Sequence, residues 1–242
     1  PGTTIIKAKK SRNHTELLFK YLKIPIKVKS NKEFDLIEVK GLQQYNAFNY
    51  SIPGDISSSA FFIVLTVLSK NSEITIRKVN INETRIGIIK ILKMMNCNII
   101  FKNKRIYKDE PTADIFVKSS KMLKSINCPS KLNSSAIDEL ILCFLVAAKA
   151  KGISTFKDLG ELNKKESPRL DITIKFLIMI GIKVVRKKDN IKIYGKPKLY
   201  LKGNYHVKNF LKDHRIFMFS CIAALTLNGR WIIEDKDSIN TS

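Results

Sequence analysis

Residues 134–150 read SSAIDELILCFLVAAKA, a polar turn carrying an acidic pair that runs into an almost unbroken apolar stretch. The same pattern occurs twice more. Asp55-Ile56-Ser57-Ser58-Ser59 leads into AFFIVLTVLS, and Asp213-His214-Arg215 leads into IFMFSCIAALTL. Each apolar stretch predicts a helix, and each is followed by a short β-rich run: EITIRKV (73–79), GISTFKDL (152–159) and GRWIIED (229–235). After the first two comes a more amphipathic helix, over 84–95 and 167–180. A strand pair closes each unit, NIIF with DIFV in one and IKVVR with IKIYG in the other. The near-even spacing of the three openings predicts an α/β chain built from repeated βαβαββ units, the third cut short.

Local signals mark the helix starts. Ser135 with Asp138 three residues on reads as an acidic capping box. Ser167-Pro168 reads as a helix start with Pro at its first position, where a missing N–H costs nothing. Asp213 reads as the N-cap of the third apolar helix. Residues 1–50 follow another pattern: a strand (TTIIKA), a helix over 15–22, then strands IPIKVKS and LIEVK. The turn signal Ile52-Pro53-Gly54-Asp55 marks a crossover. That crossover is read as one between domains.

Composition narrows the class. The chain has 242 residues, 44% of them hydrophobic, with a formal charge of +23. No apolar run reaches the ~18 residues that span a bilayer, and PGTTIIKAKK lacks the apolar core of a signal peptide. With no initiator Met, the chain reads as a piece of something longer. Cys97, Cys128, Cys143 and Cys221 form no CxxC pair, which argues against zinc or a disulfide framework and for a reducing, cytoplasmic setting. The lysines are spread along the whole chain among Ile and Asn, so most of the charge reads as solvated surface. A basic nucleic-acid-binding protein is the alternative that this charge supports, but no basic stripe interleaved with aromatics accompanies it.

Chemistry concentrates near the predicted helix starts, at Asp138, Lys165, Glu166, Arg169 and Arg215. Free N–H groups there attract anions, and arginines grip carboxylate or phosphate. Among such cations one carboxylate can act as base, and a second as acid if its surroundings favour the protonated form. Taken singly, each residue also fits a structural role: Asp138 and Asp213 as caps, Lys165 and Glu166 as a solvated pair, the arginines as surface. His14 and His214 read as hydrogen-bonding spacers, and no metal site is expected. The residues together predict an enzyme for small anionic substrates.

Six segments then resemble one family in order and spacing. They are SRNHTELL (11–18), IPGDISSSAFF (52–62), NETRIGIIKILKMMNCNI (82–99), AIDELILCFLVAAKAKGIST (136–155), ELNKKESPRL (161–170) and DHRIFMF (213–219). All are similar to the EPSP synthase (3-phosphoshikimate 1-carboxyvinyltransferase) family. The resemblance implies the enolpyruvyl transferase fold, with residues 1–52 as the last part of one domain and 53–242 as a nearly complete second domain. It implies enolpyruvyl transfer from phosphoenolpyruvate to the 5-hydroxyl of shikimate 3-phosphate, a step of the shikimate pathway of aromatic amino acid biosynthesis. No cofactor, membrane or nucleic acid enters, and a monomer is expected at full length. By motif position Asp138 is the proton acceptor and Glu166 the proton donor. Arg12, Asp138 and Lys165 contact shikimate 3-phosphate, and Arg169 and Arg215 hold phosphoenolpyruvate. The UDP-N-acetylglucosamine enolpyruvyl transferases share the fold, but KESxR and DHR are not their pattern. Asn13, Asn163 and Pro168 depart from the family. The first two are expected to weaken pairing behind the site, and Pro168 to remove a carboxylate that orients Arg169. About the first half of the family's sequence is absent, so the chain alone is expected to be inactive.

Overall fold

The computed structural model describes residues 2–41, 43–208, 210–234 and 236–241. Its elements run β1 (Thr3–Lys9), α1 (His14–Tyr21), β2 (Ile26–Ser30), β3 (Phe34–Lys40), α2 (Ile56–Leu68), β4 (Glu73–Asn80), α3 (Gly87–Met94), β5 (Asn98–Tyr107), β6 (Glu110–Lys118), α4 (Asn133–Ala136), α5 (Leu140–Lys149), β7 (Gly152–Phe156), α6 (Arg169–Met179), β8 (Lys183–Lys187), β9 (Asn190–Gly195), β10 (Leu201–Val207), α7 (His214–Leu227) and β11 (Asn228–Ile233).

The repeat is real. Two units of three antiparallel strands have the orders β4-β6-β5 and β7-β9-β8, so the last strand sits in the middle each time. The strand expected to open each unit is reduced to isolated parallel bridges, Gly54 to Val79 in the first and Asn127 to Thr155 in the second. In the third unit it is a full strand: β10 pairs in parallel with β11 across α7. Residues 3–40 follow the same plan as the second half of a unit, with strand order β1-β3-β2. The sequence hides this kinship because that piece has no apolar opening helix.

The core lies where α2, α5 and α7 pack on one another. The residues of α5 from Leu140 to Ala148 are all buried, as expected of a helix apolar on every side. By contrast α1 buries no residue completely, and Ile5 and Ile6 of β1 are exposed. Polar and aromatic contacts tie this N-terminal piece to the first unit. His14 Nδ1 lies 2.5 Å from Glu110 Oε1, and Asn82 Nδ2 donates to Asn13 Oδ1 at 2.8 Å. The Lys108 amine sits 5.3–5.5 Å from the ring centres of Tyr21, Phe48, Tyr50 and Tyr107.

Two helix starts differ from expectation. Ser135 and Asp138 form no capping box: Ser135 lies inside α4, its hydroxyl donating to Leu132 O, and α5 begins at Leu140 after Glu139 without a side-chain cap. The helix is interrupted by a turn between α4 and α5, and cations draw the Asp138 carboxylate away from backbone N–H groups. Pro168 is the N-cap of α6, one position earlier than first-turn Pro, and Ser167 turns its hydroxyl elsewhere. The cap of α6 comes instead from Asn163, whose Oδ1 accepts from Leu170 N at 3.1 Å and Asp171 N at 3.3 Å. The reading of Asp213 holds: it accepts from Arg215 N and Ile216 N at the start of α7.

Candidate active site

The N-terminal ends of α5, α6 and α7 meet at one place. Gly87 helps set it. A Cβ there would lie 2.3 Å from Ser135 Oγ and 2.7 Å from Ser135 C, so only glycine lets α3 approach the turn that carries Asp138.

Asp138 is the hub. Arg12 Nη2 donates to its Oδ2 at 2.7 Å, and Lys165 Nζ stands 3.4 Å from Oδ1. Arg169 Nη1 lies 3.6 Å from Oδ1, and Arg215 Nη2 lies 3.9 Å from Oδ2. These cations come from three separate stretches of chain, at Arg12, over 165–169 and at Arg215. Glu166 joins the cluster through an ion pair with Arg169 Nη2. All six residues expected at the site are therefore brought together.

Their exposures differ. Arg12 and Glu166 keep 45% and 57% of their side chains in solvent, whereas Arg169 keeps 1%. A cavity of about 920 Å³ is lined by Arg12, Lys131, Asp138, Lys165, Glu166 and Arg215 among others. Arg169 stands behind this lining, linked to it through Asp138 and Glu166. A wider hollow of about 1340 Å³ opens at the opposite, C-terminal ends of α2 and α5 and contains none of these residues.

Asp213 does more than cap α7. Its carboxylate is buried and accepts from Arg169 Nε at 2.8 Å and from Ser167 Oγ at 2.7 Å. Arg169 is thus oriented without a carboxylate at position 168, which answers the expectation attached to Pro168. Asn163 caps α6 and donates to Asp171 Oδ1 at 2.8 Å. Asn13 faces Asn82 rather than the cluster.

Burial pushes the Asp138 carboxyl up, but Arg215, Lys165 and Arg12 outweigh it and hold the group below the usual carboxylate range. Asp213 is lowered in the same way, with burial opposed by the bonds from Arg169 and Ser167. Glu139 goes the other way. Burial raises it, and Ser57 and Arg215 only partly offset this. The sequence pointed neither to this residue nor to the Asp213–Arg169 pair. Its one signal was Glu139 standing directly after Asp138.

A carboxylate ringed by cations, with a second carboxylate beside it, can bind small anions and move protons. Among the described residues no three His, Cys, Asp or Glu side chains are grouped to hold a metal ion. Among them, too, no helix is long and apolar enough to cross a membrane.

The family model described as EPSP synthase (3-phosphoshikimate 1-carboxyvinyltransferase) matches residues 1–242. The chain is 40% identical over 246 residues to a 3-phosphoshikimate 1-carboxyvinyltransferase of Ruthia magnifica subsp. Calyptogena magnifica, covering 100% of this chain and 54% of the relative. It is 35% identical to the protein of that name from Petrotoga mobilis, covering 99% and 54%. An EPSP synthase structure from Acinetobacter baumannii superposes with a TM-score of 0.88 at 32% identity, over 99% of this chain and 54% of that one. The enolpyruvyl transferase NikO from Streptomyces tendae shares the fold, with a TM-score of 0.72 at 14% identity over 98% of this chain and 52% of that one. The chain spans about half the length of the curated relatives it matches.

Proposed function

The chain belongs to the EPSP synthase (3-phosphoshikimate 1-carboxyvinyltransferase) family, and on that premise we propose that it forms the acid–base half of an enzyme joining phosphoenolpyruvate to shikimate 3-phosphate. The observation that carries this reading is Asp138 within 2.7–3.9 Å of four cations from three stretches of chain. Asp138 takes the proton of the 5-hydroxyl as that oxygen bonds to C2 of phosphoenolpyruvate. Glu166 gives a proton to the methylene carbon, completing a tetrahedral intermediate. Loss of phosphate from C2 and of a proton from the new methyl group then restores the double bond as the enolpyruvyl ether.

Arg12 and Lys165 flank Asp138 on the shikimate 3-phosphate side, and Arg169 and Arg215 serve phosphoenolpyruvate. An anion that draws Arg169 from Glu166 frees that carboxyl to take up the proton it donates. Within this reading, residues 1–52 complete a partner domain supplied by the rest of the longer protein, and 53–242 form the second domain. The exposed Ile5 and Ile6 face support that division. The full-length enzyme acts as a cytoplasmic monomer.

Family membership supports shikimate 3-phosphate over UDP-N-acetylglucosamine as the acceptor. A basic binding protein keeps only the net charge as support. The test is turnover of the full-length protein with both substrates. Asp138→Ala or Glu166→Gln should each cut kcat by about 100-fold or more, the usual worth of a positioned acid or base. Near-native turnover in both variants refutes these roles.

A further inference from the structure

Arg215 has two carboxylate neighbours, Asp138 and Glu139, and neither holds it closely. Arg215 Nη1 donates to the Asp138 backbone O at 3.3 Å, and Nη2 lies 3.9 Å from Asp138 Oδ2. Glu139 Oε1 stands 3.6 Å from Nη1. Glu139 is 2% exposed, and its Oε1 accepts no hydrogen bond among the described residues. A buried acceptor left open is costly, so a small shift of the guanidinium toward it is favoured. The pocket around Glu139 is otherwise set: Ser57 of α2 is buried beside it, and Arg85 fixes Ser57 with a bond of 2.7 Å while also binding Asp55 Oδ1 at 2.8 Å.

We propose that Glu139 is a positioning residue for the transfer reaction: its buried carboxyl group takes over Arg215 when Asp138 is neutralised by the proton it accepts. The inference rests on the functional reading above. In the resting molecule the hub carboxylate contributes to holding Arg215. Once Asp138 carries the substrate proton, its charge no longer does so. Without a second acceptor the guanidinium would relax just as negative charge develops on the departing phosphate. Glu139 Oε1, 3.6 Å from Nη1 and already open, closes a hydrogen bond at that moment. The stabilisation therefore belongs to the transition state rather than to substrate binding.

The test uses the full-length protein and steady-state kinetics with both substrates. Glu139→Met keeps the volume and removes the acceptor. It should lower kcat by about tenfold or more, the worth of one hydrogen bond to a charged group, with KM for phosphoenolpyruvate changed less than about threefold. Glu139→Gln restores an acceptor oxygen and should recover kcat to within about threefold of native. In an Arg215→Lys background Glu139→Met should cost less than about twofold more, because the partner is already gone. Should Glu139→Met not fold, Glu139→Asp serves: it draws the oxygen back by one carbon and should also lower kcat about tenfold. The proposal is overturned if kcat of Glu139→Met stays within about twofold of native, if only KM moves, or if Glu139→Gln is as impaired as Glu139→Met. Native full-length protein that forms no enolpyruvyl product removes the functional reading and this inference together. Native turnover that Glu139→Met leaves intact removes this inference alone.

Discussion

Replacing Asp213 should destabilise the protein more than any cap alone can account for. Its two oxygens divide the work. Oδ1 caps α7 through Arg215 N at 2.9 Å and Ile216 N at 3.3 Å. Oδ2 holds Arg169 Nε at 2.8 Å and Ser167 Oγ at 2.7 Å. Both charged side chains are buried, at 0% and 1% exposure. Breaking such a pair from one side costs about 3–5 kcal/mol, because the remaining charge is stranded away from water. Arg169 keeps Glu166 and Asp138 as partners, which places the loss at the lower end. Asp213→Asn preserves the cap and should cost about 3 kcal/mol. Asp213→Ala also loses the cap and should cost about 1 kcal/mol more. For a chain of this size the Asn variant should melt about 10 °C lower.

The sign of the pH dependence is fixed by the same contacts. The folded Asp213 carboxyl lies below its ordinary range. Its stabilisation is therefore complete above the unfolded value, near 3.9, and is lost as pH falls through the folded one. Urea unfolding of native and Asp213→Asn full-length protein should differ fully at pH 7, begin to converge below about pH 4 and meet once pH is below the folded value. A second check is Asp213→Asn with Arg169→Met. Removing both charges should restore part of the loss, since no buried ion is left unpaired. An Asn variant within about 1 kcal/mol of native at pH 7, or a double variant worse than the sum of the singles, would refute the reasoning.

Asn163→Ala removes the cap of α6 and should cost about 1 kcal/mol in urea unfolding; no change would mean that the first turn finds water instead. Gly87→Ala places a Cβ 2.3 Å from Ser135 Oγ and should cost about 1–3 kcal/mol while lowering turnover, because the Asp138 turn must move; full activity with native melting would show that α3 yields freely. The acid limb of kcat/KM should lie below about pH 4, because cations hold Asp138 in its charged form in the free protein. An acid limb near pH 6 that disappears in Asp138→Asn would contradict this.

Much of the architecture is written in local patterns. An apolar helix after an Asp-bearing turn, then a strand, an amphipathic helix and two strands, is a period that neighbouring residues carry by themselves. Of the six residues that the fold groups together, Asp138, Lys165, Glu166, Arg169 and Arg215 stood out because each lies near a predicted helix start, and Arg12 through the resemblance of its segment SRNHTELL. Where two outcomes competed locally, the pattern misled. Ser135 and Asp138 have the spacing of a capping box, yet the carboxylate turns to four cations that its own segment does not contain. Pro168 looked like the loss of an orienting group, yet the group is Asp213, 44 residues beyond Arg169.

The sequence by itself determined the units, their order and the chemical types available at the helix starts, since these depend on periodicity and propensity over a few residues. Only the tertiary structure decided which carboxylate serves which cation. That choice turns on distances of a few ångströms between α5, α6 and α7: burial raises all three carboxyls, cations and hydrogen bonds bring Asp138 and Asp213 below their usual range, and Glu139 stays raised where the guanidinium stands just out of reach.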